Sequence, residues 1–124
     1  MVIRNWKETI PYVGHETAIV WPIFAGKGAK DRSPEEAPLL GTKGLTLHRM
    51  QSKMKGDYHD HEESEQIYYF TSGKGKMKID GEIHPVCEGD AVHLPPKTMH
   101  QLINDSDDWI EHLIITAVVS KNAI

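Results

Sequence analysis

The stretch Gly56-Asp-Tyr-His-Asp-His-Glu-Glu-Ser-Glu-Gln-Ile-Tyr-Tyr-Phe-Thr-Ser-Gly73 decides how this chain is read. It separates His59 from His61 by a single residue, a spacing that sets both side chains on one face of an extended segment. Oxygen donors follow at Glu65 and Gln66. Two imidazoles on one face with an oxygen donor in reach are the beginnings of a metal site. A third imidazole, His100, lies downstream in Gly89-Asp-Ala-Val-His-Leu-Pro-Pro-Lys-Thr-Met-His-Gln-Leu-Ile-Asn104.

Around these two stretches, short apolar runs alternate with turn signals. Residues 17–24, 45–51, 58–61, 66–71, 76–79, 82–86, 91–94, 99–104 and 110–119 read as strands. Asp80-Gly81 between two of them is a hairpin turn of the favoured kind. Pro22 places the first strand at a sheet edge or a bulge. Residues 25–44 hold four glycines and two prolines and read as a long loop, with one capped turn at Ser33-Pro-Glu-Glu. Many short strands at regular spacing indicate an all-β antiparallel sandwich or barrel.

Composition narrows the function classes. At 124 residues the chain is most simply one domain, divided into an extension (1–24), a loop (25–44) and a barrel core (45–119). A formal net charge of −4, with no dense run of Lys or Arg, gives no nucleic-acid footprint and no sign of an acidic membrane surface. The N-terminal residues resemble neither a signal peptide nor a transmembrane segment, and the single cysteine, Cys87, excludes an intrachain disulfide. A reducing, cytoplasmic setting is the expectation. Cys87 itself reads as a small buried apolar residue, not a ligand. Eight histidines are the one compositional oddity. Of these, His15, His48, His84 and His112 read as surface, interface or core residues, and Trp6, Trp21 and Trp109 read as packing.

Taken together, the two stretches resemble the paired motifs of the cupins. The first family motif runs Gly, His-x-His, Glu, Gly, and is met by Gly56, His59, His61 and Gly73. The second runs Gly, Pro-x-Gly, His, Asn, and is met by Gly89, Pro95, His100 and Asn104, with Lys97 in place of the usual glycine. The resemblance covers about residues 45–118. It implies a jelly-roll β-barrel with a divalent metal ion (Fe, Mn, Ni or Zn) at its centre, held by the two histidines, an acidic residue and the second-motif histidine. It also implies a homodimer, to which the N-terminal extension would add a strand. Asn104 reads as a structural residue that fixes a strand or turn.

The position of the acidic ligand departs from the family. Counting back from Gly73 lands on Gln66, with Glu65 one residue earlier. Neighbours on a strand face opposite sides, so a regular strand turns only one of them inward. The Gly73 spacing favours Gln66, and residue pattern alone leaves Glu65 open. An inward Gln66 brings Tyr68 and Phe70 inward with it. The expected metal set is therefore His59, His61, Gln66 and His100, with Tyr68 and Glu65 as candidate acid–base groups and His93 as a candidate support for a ligand. An amide oxygen does not offset a cation's charge as a carboxylate does, which points to an anionic small molecule in the open positions. Oxygenation, decarboxylation, isomerisation and lyase chemistry all suit such a site. A non-catalytic module that binds a small ligand or sugar is the alternative, and a metal-free structural barrel is a third. The loop 25–44 reads as a lid over the barrel mouth.

Overall fold

The computed structural model describes residues 1–120. Nine strands run in chain order among them: β1 (Tyr12–Gly14), β2 (Ala18–Ala25), β3 (Gly44–Met50), β4 (Ser64–Ser72), β5 (Lys74–Ile79), β6 (Glu82–Cys87), β7 (Ala91–Leu94), β8 (His100–Ile103) and β9 (Ile110–Val118). They form a six-stranded sheet, ordered β1-β2-β3-β9-β4-β7, and a three-stranded sheet, ordered β6-β5-β8, with every strand pair antiparallel. This is the expected jelly-roll barrel. No helix among the described residues is long and apolar enough to cross a membrane.

Alternation along the strands fills the interior. On β4, Ser64, Gln66, Tyr68 and Phe70 are buried while Ile67 and Tyr69 are exposed. On β9, Ile110, His112 and Ile114 are buried between half-covered neighbours. Phe70, Met77 and Ile110 have no exposed surface and pack with Met50, Leu94 and Leu102 into one apolar cluster.

Local chemistry accounts for the turns. Asp80 (φ 46°) and Gly81 (φ 84°) make the two-residue hairpin between β5 and β6, where both central residues need positive φ. Pro22 sits both at a local edge and at a bulge: β1 pairs only with Ala18–Val20, leaving Pro22 paired on the β3 side alone, and the register slips between Pro22 and Phe24. In the loop, Ser33 and Glu36 exchange side-chain and backbone hydrogen bonds, as the capped-turn reading expects. Buried Asn104 ties three segments together. Its Nδ2 donates to the carbonyls of Met50, Gln51 and Asp108, and its Oδ1 accepts from Ser106.

Some expectations need correction. Residues 58–61 form no strand, and His59 makes only an isolated bridge to His100. The N-terminal extension adds its strands to the chain's own sheet, with β2 on β3 and β1 at the edge, and Trp6 packs edge-on against Trp21. The loop after β2 folds back on its own ends: Ala25 donates to Glu36, Lys27 to Leu39 and Gly26 to Lys43. Cys87 is exposed, its thiol held above its ordinary pKa chiefly by the Asp90 carboxylate.

Candidate metal centre

Backbone pairing fixes the first two imidazoles. His59 and His100 exchange both of their backbone hydrogen bonds, at 3.0 and 2.8 Å. The third is fixed by the turn before β8, where the Lys97 N–H donates to the His61 carbonyl at 2.7 Å. Lys97 adopts φ 64°, which explains why the family pattern has glycine there. The potential ligand atoms of His59, His61 and His100 lie within 4.8 Å of one another.

Hydrogen bonds on the far side of two rings decide which nitrogen faces inward. His100 Nδ1 contacts the Thr98 carbonyl at 2.8 Å and His59 Nδ1 contacts the Asp57 carbonyl at 3.2 Å. A carbonyl only accepts, so both Nδ1 atoms carry the proton and both Nε2 atoms present lone pairs. His59 Nε2, His61 Nε2 and His100 Nε2 are all buried with no hydrogen-bond partner.

Gln66 is buried on β4. It stands opposite Thr116 in the β4–β9 register, and its Nε2 donates to Thr116 Oγ1 at 3.1 Å. That bond turns the amide oxygen the other way, and Oε1 is buried without a partner. The inward residue of the pair is therefore Gln66. Glu65 is not brought to the site: it lies on the outer face of β4, its Oε1 at 2.8 Å from His93 Nε2. The same contact places His93 outside the barrel, as an outward strand residue and not as a support for a ligand.

Beside the cluster lies a small cavity of about 20 Å³. His59, His100 and Asp57 line one side, and His15, His48, Tyr68 and His112 also line it. The reading of His15, His48 and His112 as generic surface or core residues missed this. His48 and His112 sit opposite each other on β3 and β9 and stack at 5.1 Å, and His112 stacks on Tyr68 at 5.0 Å. A signal was present in the sequence. His112 falls in phase with Ile110 and Ile114, and His48 in phase with Met50, so alternation alone turns both inward.

Burial keeps several of these rings uncharged. Burial lowers the pKa of His112 to about 3 and of His48 to about 2, and the neighbouring His112 lowers His48 further. Burial is likewise the main reason His100 falls to about 4. His61 is lowered by burial first, then by His59, His15 and Lys43. Burial pushes the Tyr68 hydroxyl far above its ordinary value, so at neutral pH it keeps its proton.

Three imidazole nitrogens, clustered, buried and otherwise unsatisfied, are a donor set that suits a divalent ion. The family model for the cupin domain matches residues 46–116, which holds every one of these donors. The chain belongs to the cupins. An uncharacterized protein of Methanocaldococcus jannaschii is 32% identical to this cupin over 97 residues, 76% of this chain and 68% of the other. Among solved structures, a predicted oxalate decarboxylase of Thermotoga maritima superposes with a TM-score of 0.78 at 17% identity, covering 96% of this chain and all of that one. A cupin 2 conserved barrel domain protein of Salinispora arenicola gives 0.73 at 18% identity, covering 98% and 91%. At these identities the two structures speak for the fold alone.

Proposed function

We propose that this cupin binds one divalent metal ion through His59, His61, His100 and Gln66, and that the metal takes a small anionic organic molecule in its open positions. One observation carries the reading: of six buried side-chain atoms without hydrogen-bond partners among the described residues, three are the Nε2 atoms of the clustered His59, His61 and His100 and a fourth is Gln66 Oε1. A buried polar group without a partner costs about 1–3 kcal/mol. Three of them on clustered imidazoles, with a fourth on Gln66, call for a shared partner, which a cation would supply.

Charge points to the ligand. Neutral imidazoles and an amide leave the ion's two positive charges uncompensated, and Lys43 adds a further cation near His61. A carboxylate or enolate oxygen would restore neutrality. When bound, the metal would act as a Lewis acid on such an oxygen. The chain's own residues define the rest of the space. Tyr68, protonated, offers a donor inside the cavity, while neutral His48 and His112 close it off without adding charge.

The test begins with metal analysis of untagged protein, followed by titration of Mn(II) or Zn(II) and then of small oxo- and hydroxy-acids. One metal per chain, with acid binding only in the metal-loaded form, is the expected result. Turnover of those acids would make it an enzyme, and binding without turnover a ligand-binding module. Equal metal binding by the wild type and His61→Ala would remove the proposal.

A further inference from the structure

The connection between β1 and β2 lies outside the span matched by the cupin model, yet it delivers an imidazole to the cavity. His15 (φ 51°) and Glu16 (φ 69°) are consecutive non-glycine residues in the left-handed region. Such residues are uncommon, and short hairpin connections usually meet this requirement with Gly or Asn. Strain of this kind persists only where the surroundings enforce it. Here Thr17 Oγ1 donates to the Lys55 carbonyl at 2.7 Å, tying the turn to the metal-bearing segment. Gly56 leaves the room: a Cβ there would lie 3.3 Å from the His15 carbonyl oxygen.

The docked ring makes two contacts. It stacks on His59 at 4.9 Å and 23°, and its Nδ1 lies 3.3 Å from the Asp57 carboxylate. The other carboxylate oxygen of Asp57 is 3.3 Å from His59 Nδ1. We propose that His15 is a positioning residue for the metal centre, holding Asp57 and the face of His59 so that His59 Nε2 stays aimed at the ion. The inference rests on the metal reading above. A second metal at His15, Asp57 and His59, whose ligand atoms also lie within 4.8 Å, fits less well. His59 Nδ1 has its proton engaged with the Asp57 carbonyl and offers no lone pair, and each Asp57 carboxylate oxygen already meets an imidazole nitrogen.

Co(II) titration with a competing chelator, read by visible absorption and set beside thermal melting, tests this. The wild type should take one equivalent, and His61→Ala should bind at least about 100-fold more weakly. The double variant His15→Asn, Glu16→Gly gives the turn residues suited to positive φ. It should melt no lower than the wild type, yet lose roughly tenfold in Co(II) affinity and shift the Co(II) bands. Asp57→Asn should lose a similar amount, at the lower end of the 10–100-fold typical when a support of a ligating histidine is removed. Glu16→Gly alone, which keeps the imidazole, should bind as the wild type does. A double variant with wild-type affinity and spectrum would overturn the inference and leave the metal reading standing. Two equivalents in the wild type and one in the double variant would replace it with a second metal site. Indifference of Co(II) binding to His61→Ala would remove both readings together.

Discussion

The two ends of the barrel interior are built on the same strands and differ in what completes them. On β4, Phe70 belongs to the apolar end and Gln66 to the metal end; on β9, Ile110 and Thr116 divide in the same way. At the apolar end Phe70, Met77 and Ile110 are fully enclosed by the chain's own apolar side chains. At the other end the buried donors converge and stay unmatched. The comparison teaches that one alternation pattern can specify both a self-sufficient core and an incomplete one. Incompleteness at the second end is the mark of function, because a chain selected for stability alone would fill it with hydrocarbon.

The comparison breaks if damage at the two ends has the same consequence. Phe70→Ala should cost about 3–5 kcal/mol of unfolding free energy by urea titration, from lost burial and the cavity left behind. His61→Ala should leave the stability of the metal-free protein within about 1 kcal/mol, since it deletes a buried nitrogen that had no partner. Equal losses would mean that the histidine end is simply more core.

Acid should act on the region between the two ends. His48 and His112 have folded pKa values of about 2 and about 3, below the ordinary histidine value of 6.5. The unfolded chain therefore binds more protons between those limits, so the contribution is complete above pH 6.5 and drains away as pH falls toward 3. From pH 7.5 to pH 5 these two rings should cost the metal-free protein about 2–4 kcal/mol in urea titrations, with His100, lowered to about 4, adding to the same slope. His112→Gln should flatten that dependence. A slope unchanged by the substitution would show that these two rings do not carry it.

Much of this contrast was legible in the sequence, and the exceptions have physical causes. Strand positions followed from alternation, and the ligand histidines from a short spacing joined to a second motif. Gln66 was readable because Gly73 anchors the strand's phase, and the structure turns it inward while Glu65 pairs with His93 outside. His15 was not legible, because a turn residue carries no periodicity and its partner Asp57 is far away in sequence. The run at residues 58–61 was read as a strand although it pairs only at His59, because composition does not report how far along a segment the pairing extends. Cys87 was read as buried because its type usually is, whereas β6 is exposed along most of its length.

Smaller changes sharpen the comparison at the metal end. Gln66→Glu keeps the shape of the side chain and adds one negative charge to the donor set. Metal affinity should rise roughly tenfold and anion affinity in the loaded form should fall by a similar factor, about 1.4 kcal/mol each way. Calorimetric titration of the metal and then of a small carboxylic acid measures both. Unchanged values would show that the amide's neutrality is not what selects the ligand.

The smallest expected effect concerns Lys97, which stands where the family pattern has glycine. Its φ of 64° is a left-handed conformation that costs a side-chain-bearing residue about 1–2 kcal/mol relative to the right-handed one. Lys97→Gly removes that penalty but frees the unfolded chain, so the two effects partly cancel. The net gain should be no more than about 1 kcal/mol in urea titration. The conformation is needed because it aims the Lys97 N–H at the His61 carbonyl, and the glycine variant retains that donor. Metal affinity should therefore stay at the wild-type value while stability rises. A fall in anion affinity with metal affinity unchanged would instead assign the exposed ammonium a role in drawing the ligand to the mouth, and would place Lys97 with Lys43 among the charges that select it.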